Sequence, residues 1–307
     1  MTIVAPHTAG LDKLDRRRWR LPARGLRELL LITALYVAYS ATRLVADDAL
    51  APAVDRAHAL VDVEIFLGLH WEQAINRLFV DVGWLGLVGS YWYATAHYVV
   101  TAVVLVWLYR SGPATYAPAR RALLIATIAG LALYLLLPMA PPRLTGGYVD
   151  VLALNSADGW WGSEASAPRG LGGFTNQLAA FPSLHAGWAL WVALAIRSAT
   201  SNRAARAFGW THAIVTAIVV VGTGNHWVLD AVAGWLVVGT GWYAARSWRR
   251  STDLRETAAR SADMASNGPV ANSWRSHHAD QDGRSCHRHV HSRDGGDVAG
   301  HGGPRTG

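Results

Sequence analysis

Apolar runs close to the length of a bilayer crossing constrain this chain more than any other feature. Residues 26–45 and 84–109 reach the roughly 20 residues a helix needs to span hydrocarbon, and shorter apolar stretches follow at 122–137, 184–196, 208–221 and 228–245. Charged residues make up only 16% of the chain and hydrophobic ones 51%, whereas soluble domains carry about a quarter charged. Much of the chain therefore does not face water, and an ordinary water-soluble enzyme is excluded. The first run is longer than the roughly 7–15 apolar residues of a cleaved signal, so it reads as an uncleaved span.

The net charge of +7 would suggest nucleic acid in a soluble protein, yet the basic residues cluster between apolar runs. They fall in the N-terminus (Lys13, Arg16, Arg17, Arg18, Arg20, Arg24), in the 110–121 connection (Arg110, Arg120, Arg121), in the 197–206 connection (Arg197, Arg203, Arg206) and just after the last run (Arg246, Arg249, Arg250). These are alternate connections, so the positive-inside rule places all four in the cytoplasm together with both termini. The expectation is a plasma-membrane protein of six spans that binds no nucleic acid. The single Cys286 lies in a polar tail and has no partner for an intramolecular disulfide.

Three regions follow: a basic cytoplasmic N-terminus (1–25), a membrane-embedded domain (26–246), and a Gly-, Arg- and His-rich tail (247–307) that reads as disordered and cytoplasmic. Opposite the basic connections lie 46–83, 139–182 and the short link 222–225, all expected outside. Residues 65–80 mix Phe66, Leu67, Leu69, Ile75, Leu78 and Phe79 with Glu72, Gln73, Asn76 and Arg77, a pattern that fits a helix lying in the membrane interface. The expected fold is thus all-α, a polytopic bundle of about six transmembrane helices with an interfacial helix and a long outer loop. A connection as long as 139–182 is more often functional than a simple join.

Two segments stand out against the apolar background: Phe181-Pro182-Ser183-Leu184-His185 and Asn225-His226-Trp227-Val228-Leu229-Asp230. The topology brings His185, His226 and Asp230 to one depth at the outer face. His226 and Asp230 are four residues apart, one helical turn, so the carboxylate reaches an imidazole nitrogen. An Asp that orients one ring nitrogen leaves the other free as nucleophile or base. A second His supplies a general acid, and Arg143 in the outer loop is the best-placed cation for a phosphate. Other readings exist: His97 as a hydrogen-bonded interior residue, a zinc site from two His and one Asp, Arg143 as an anchor to anionic head groups, and a serine protease based on Ser183, which lacks the Gly-flanked elbow. The tail residues His277, His278, His287, His289 and His291 form a run able to take transition metals.

These residues resemble a known family. Pro-Ser-Leu-His at 182–185 and Asn-His-x-x-x-Asp at 225–230 look like the second and third motifs of the type 2 phosphatidic acid phosphatase superfamily. Leu184, where most members have Gly, and Pro141-Pro142-Arg143 look closest to the inositol phosphorylceramide synthase-like branch. The resemblance covers about 60–245. It implies a six-helix membrane bundle, no metal or other cofactor, and two-step chemistry on a lipid phosphate or phosphodiester at the outer leaflet. His226 would form a phosphohistidine, Asp230 would orient it, and His185 would protonate the leaving oxygen. Arg143, Ser183 and Asn225 would hold the phosphate. Two cations of the common motifs are missing: of the first motif's Lys and Arg only Arg143 remains, and Val219 and Val220 occupy the usual Ser-Arg positions of the third. That deficit tilts the expectation toward head-group transfer on a phosphodiester, with Arg169, Asn176 and Asn225 available to compensate. The alternative is a non-catalytic lipid carrier or transporter using the His pair as a substrate or proton site. The identity of the lipid, the acceptor and the oligomeric state are not encoded in these motifs.

Overall fold

The computed structural model describes residues 49–162, 169–170 and 176–267, together with scattered positions between 25 and 41. Most of the expected first span, the 1–24 segment and the 268–307 part of the tail lie outside the described residues. Two units are present, Met1–Ser247 and Trp248–Gly307; the site described below lies in the first.

Among the described residues the chain is all-helical. α1 (Leu50–Leu67) and α2 (Glu72–Asp81) precede a long rod made of α3 (Gly83–Tyr91), a π-helical turn (Trp92–Ala96) and α4 (His97–Ser111). α5 (Pro113–Leu136) follows, and then a connection containing a 3-10 turn (Pro142–Leu144) and the one-turn α6 (Val151–Leu154). α7 (Leu184–Ala199), α8 (Arg203–Gly222) and α9 (Val228–Asn267) complete the order. An isolated bridge joins Met139 and Ala179.

Among the described residues, four helices are long and apolar enough to cross a membrane: Gly83–Ser111, Pro113–Leu136, Arg203–Gly222 and Val228–Trp248. The protein is therefore an integral membrane protein. Val99, Val103, Ile128, Leu136, Ile214 and Leu236 are exposed on these helices, as a lipid-facing surface requires. α7, expected as a span over 184–196, has 16 residues, about 24 Å of helix and less than a typical crossing. It packs against α4, α5 and α8 and buries Ala186, Gly187, Ala189, Trp191, Val192, Ala193, Ala195 and Ile196.

Lipid competes with apolar side chains for one another, so such helices associate through small residues and interhelical hydrogen bonds. Both devices are present. A Cβ on Gly187 would stand 3.0 Å from the Gly234 carbonyl oxygen, and one on Gly209 3.0 Å from the Ala193 Cα. Indole N–H groups tie neighbouring elements: Trp191 donates to the Ala119 carbonyl (2.7 Å), Trp92 to the Thr216 hydroxyl (2.9 Å), Trp188 to the Thr127 hydroxyl (3.1 Å) and Trp235 to the Ala186 carbonyl (3.1 Å).

The 65–80 stretch differs from the expected single interfacial helix. Gly68, at φ 68° in the left-handed region, ends α1, with its N–H and that of Leu69 returned to Ile65 and Glu64. Glycine reaches this conformation without the Cβ clash that other residues meet. α2 then starts at Glu72 and buries Glu72, Asn76 and Phe79, while Phe66, Ile65, Trp71 and Leu78 are exposed. The inward side of α2 thus mixes Glu72 and Asn76 with Phe79, against which Ile75 and Val80 pack, while Gln73, Arg77 and Leu78 are exposed.

Candidate active site

The α8–α9 link carries the central residues, and it is held by backbone contacts from two other segments. Gly224 takes φ 75°, and a Cβ there would lie 2.8 Å from the Val149 carbonyl oxygen, so only glycine fits. Its carbonyl accepts the Arg143 N–H at 3.0 Å, and the Thr223 carbonyl accepts the Val151 N–H at 3.3 Å. Asn76 of α2 staples both strands of this junction: its Nδ2 donates to the carbonyls of Gly222 (2.9 Å) and Val149 (3.0 Å), and its Oδ1 accepts the Val149 N–H (2.9 Å).

His226 sits in this frame almost fully buried. Its Nδ1 lies 2.9 Å from the Ala180 carbonyl oxygen and 3.4 Å from Asp230 Oδ2. A carbonyl oxygen only accepts, so Nδ1 carries the proton and donates, and the lone pair is on Nε2. Nε2 has no hydrogen-bond partner. Burial pushes the imidazole down to about 3, with the Arg143 charge adding to the effect against the Ala180 carbonyl, so His226 is a free base at neutral pH. Asp230, fully buried, gives Oδ2 to the Trp227 N–H at 2.8 Å and its backbone carbonyl to the Ser183 N–H at 2.9 Å.

Around His226 the rings form a contiguous cluster. The His185 centroid is 5.7 Å from that of His226, His97 is 4.0 Å from His185, and Tyr93 stacks on His185 at 4.3 Å. The π-helical turn inserts one residue into the α3–α4 rod and precedes His97 directly. Such turns recur at functional sites. His97 is thus an interior residue, as its apolar context suggests, and also part of the site; Tyr93 carries no motif and was not distinguishable from a core aromatic.

These residues line one cavity of about 480 Å³. His185, His226, Arg143, Asn225, Asn176 and Tyr134 line its polar part, and Leu105, Val106, Leu123 and Leu124 line an apolar part between α4 and α5. Glu28, Tyr116 and Arg120 also line it, joined by an Arg120–Glu28 ion pair and a 2.8 Å hydrogen bond from the Tyr116 hydroxyl to Glu28. Arg143 is nearly buried, and its Nε pairs with Asp150 at 3.1 Å. Asn176 Nδ2 has no hydrogen-bond partner.

The remaining sequence candidates are placed elsewhere. Ser183 is fully buried and caps α7, its Oγ accepting the Ala186 N–H at 3.3 Å, and it does not line the cavity. Arg169 donates to the carbonyls of Ser156, Ala157, Gly159 and Trp161, so it holds the connection rather than the cavity.

Two residues of the 46–83 segment, outside the two motifs, also belong with the site. Glu72 Oε1 accepts the Val228 N–H at 3.0 Å and Glu64 Oε1 the Leu229 N–H at 2.7 Å. The first turn of a helix leaves such N–H groups without intrahelical partners, and here three carboxyl groups, Asp230 included, satisfy three of them in succession. Burial, with Glu72 and Asp230 nearby, pushes Glu64 up to about 9. A signal was present in the sequence: acidic residues surrounded by Ile65, Phe66 and Leu67 are costly in an apolar setting without a buried partner.

A family model described as the PAP2 superfamily matches residues 58–244. The chain belongs to the PAP2 superfamily. The matched segment contains every residue of the cavity's polar end together with Glu64 and Glu72. Among curated proteins and among solved structures, nothing matches. PAP2 superfamily membership, with four membrane-length helices, makes this a phosphatase-type membrane enzyme whose substrates are lipid phosphates in a bilayer.

Proposed function

We propose that this PAP2 protein transfers the phosphoryl-bearing group of a lipid phosphate or phosphodiester through a covalent intermediate on His226. The observation that carries the reading is the division of labour on that ring: Nδ1–H is held by the Ala180 carbonyl, while Nε2 has no partner in a residue that lines the cavity beside His185. In the first step Nε2 attacks phosphorus, the bond from phosphorus to the leaving oxygen breaks, and that oxygen takes a proton from His185. In the second, water or an alcohol loses a proton to His185 as its oxygen attacks phosphorus, and the P–N bond to His226 breaks. Asp230 supports the positive charge that develops on His226. Arg143, Asn225 and Asn176 hold the phosphate oxygens, and Ser183 acts by capping α7 beneath His185.

Among the described residues the polar end of the cavity offers one guanidinium, since Arg169 is engaged with four carbonyls and Val219 and Val220 carry no charge. A phosphodiester monoanion needs fewer cations than a monoester dianion. This favours head-group transfer of the inositol phosphorylceramide synthase type over simple phosphatase action. The distribution of Lys and Arg supports six spans with both termini cytoplasmic and the chemistry at the outer leaflet of the plasma membrane.

The test is turnover of a phosphatidic acid, a polyprenyl diphosphate and a phosphatidylinositol by purified protein, reading both free phosphate and new lipids. His226→Ala and His226→Gln are expected to abolish all turnover, and retained activity in either would overturn the assignment. A carrier would relocate lipid between vesicles without changing it chemically.

A further inference from the structure

The start of α9 is surrounded by an unusual concentration of buried acid. Glu64, Glu72 and Asp230 are each 0% exposed, and each gives one oxygen to a backbone N–H of that first turn. Each also keeps a second oxygen, Glu64 Oε2, Glu72 Oε2 and Asp230 Oδ1, that makes no hydrogen bond. Among the described residues no Lys or Arg pairs with any of them. A buried carboxylate without a compensating positive charge is strongly disfavoured, so either protons held among these acids or a bound cation must supply that charge.

The turn between α1 and α2 supplies the remaining donor. His70 Nδ1 stands 3.2 Å from Glu72 Oε2, and one ligand atom from each of Glu64, His70 and Glu72 lies within 4.8 Å of the other two. Metal–ligand distances of about 2.0–2.3 Å place two ligands of one ion up to about twice that distance apart. The three groups therefore surround a volume of the size one ion needs, with little movement.

We propose that Glu64, His70 and Glu72 form a binding site for one divalent transition-metal ion, Zn²⁺ or Mn²⁺, that clamps the α1–α2 corner to the first turn of α9. An imidazole with two carboxylates suits these ions better than Ca²⁺ or Mg²⁺, which take oxygen donors alone. The two carboxylates cancel the charge of the ion. The His70 side chain, 35% exposed, leaves a route from solvent and room for water as a further ligand. Because the same two glutamates hold the Val228 and Leu229 N–H groups, the ion fixes the helix that carries Asp230 and adjoins His226. Its role is positional, and the phosphoryl chemistry does not pass through it.

The experiment uses the full chain in detergent, stripped with a chelator and then dialysed against Zn²⁺ or Mn²⁺. Bound metal per chain is measured by plasma mass spectrometry and unfolding is followed thermally. The histidines of the tail also take Zn²⁺, so the reading is the difference between wild type and variants. Wild type is expected to retain one more ion than Glu64→Gln/Glu72→Gln and to gain thermal stability on metal addition, a gain absent from the double variant. His70→Ala is expected to bind the ion at least tenfold more weakly. Should the double variant fail to fold, His70→Ala alone decides, since its side chain is partly exposed. Equal metal uptake by wild type and His70→Ala, or no metal-dependent gain in wild type, overturns the proposal and leaves protons as the compensating charge.

Discussion

At the scale of single residues, the hydrogen bond from His226 to the Ala180 carbonyl changes what Asp230 is expected to do. In a triad whose carboxylate alone sets the imidazole tautomer, replacing Asp by Asn costs about 10⁴-fold in kcat. Here the carbonyl, at 2.9 Å, fixes the tautomer and Asp230 stands farther away at 3.4 Å. Asp230→Asn is therefore expected to lose only about 10²- to 10³-fold, the size of one electrostatic contribution, with KM little changed; steady-state kinetics on a lipid substrate measures this. The buried, depressed imidazole leads to a second expectation. An ordinary His, near 6.5, is mostly protonated at pH 5, whereas His226, pushed down to about 3, remains a nucleophile there. Rapid-quench labelling should show phosphoenzyme forming no more slowly at pH 5 than at pH 7. That His185, His226 and Asp230 come together was legible in the sequence, because ionisable groups are rare in apolar runs and the order of the expected spans put all three at one end of the bundle. The Ala180 carbonyl was not, because every residue carries one and only the fold selects which is used. Arg169 looked like a phosphate ligand for the same reason in reverse: its charge is visible in sequence, and its four carbonyl partners are not.

At the scale of elements, the reading of hydrophobic periodicity succeeded where a helix has lipid on one side and failed where it has protein. α4, α5, α8 and α9 announce themselves by length and apolarity. The α1–α2 corner did not, because its polar residues Glu64, Glu72 and Asn76 face inward to satisfy the α8–α9 junction and the start of α9. Phe79 of α2 also packs inward with Ile75 and Val80, so the core side of that helix mixes polar and apolar residues and no single periodicity marks it. Crossings between helices are equally hidden, since they depend on which glycine meets which backbone. A Cβ on Gly234 would lie 2.1 Å from the Ser183 carbonyl oxygen and 3.3 Å from the Gly187 nitrogen, backbone atoms that cannot swing aside. Gly234→Ala must separate α7 from α9, where the Ser183 N–H meets the Asp230 carbonyl. The expected cost is about 1–3 kcal/mol, seen in thermal unfolding in detergent, with a loss of activity beyond the loss of folded protein. Gly239, with nothing within 4 Å of its Cβ position, is the control, and Gly239→Ala is expected to leave both unchanged.

At the scale of the whole molecule, the cavity joins the chemistry to the bilayer. Its polar part holds the imidazoles and Arg143. Its apolar part runs between α4 and α5, where the exposed Ala102 and Val106 line it alongside the half-buried Leu105 and Leu124. A site open on a lipid-facing side admits a substrate whose head group reaches His226 while its chain stays in an apolar setting. The binding energy of that chain scales with the CH₂ groups removed from water, about 0.8 kcal/mol each, so it governs recognition rather than the reacting atoms. Filling the apolar part should then separate binding from chemistry. Leu105→Trp is expected to raise KM for a long-chain lipid phosphate by tenfold or more. The same variant should leave kcat/KM nearly unchanged for a short, water-soluble phosphodiester that occupies only the polar part. Equal losses on both substrates would show that the substitution disturbs the imidazole cluster rather than the chain-binding space. The comparison is made in one detergent at fixed micelle concentration, so that partitioning of the long-chain substrate is the same for both proteins.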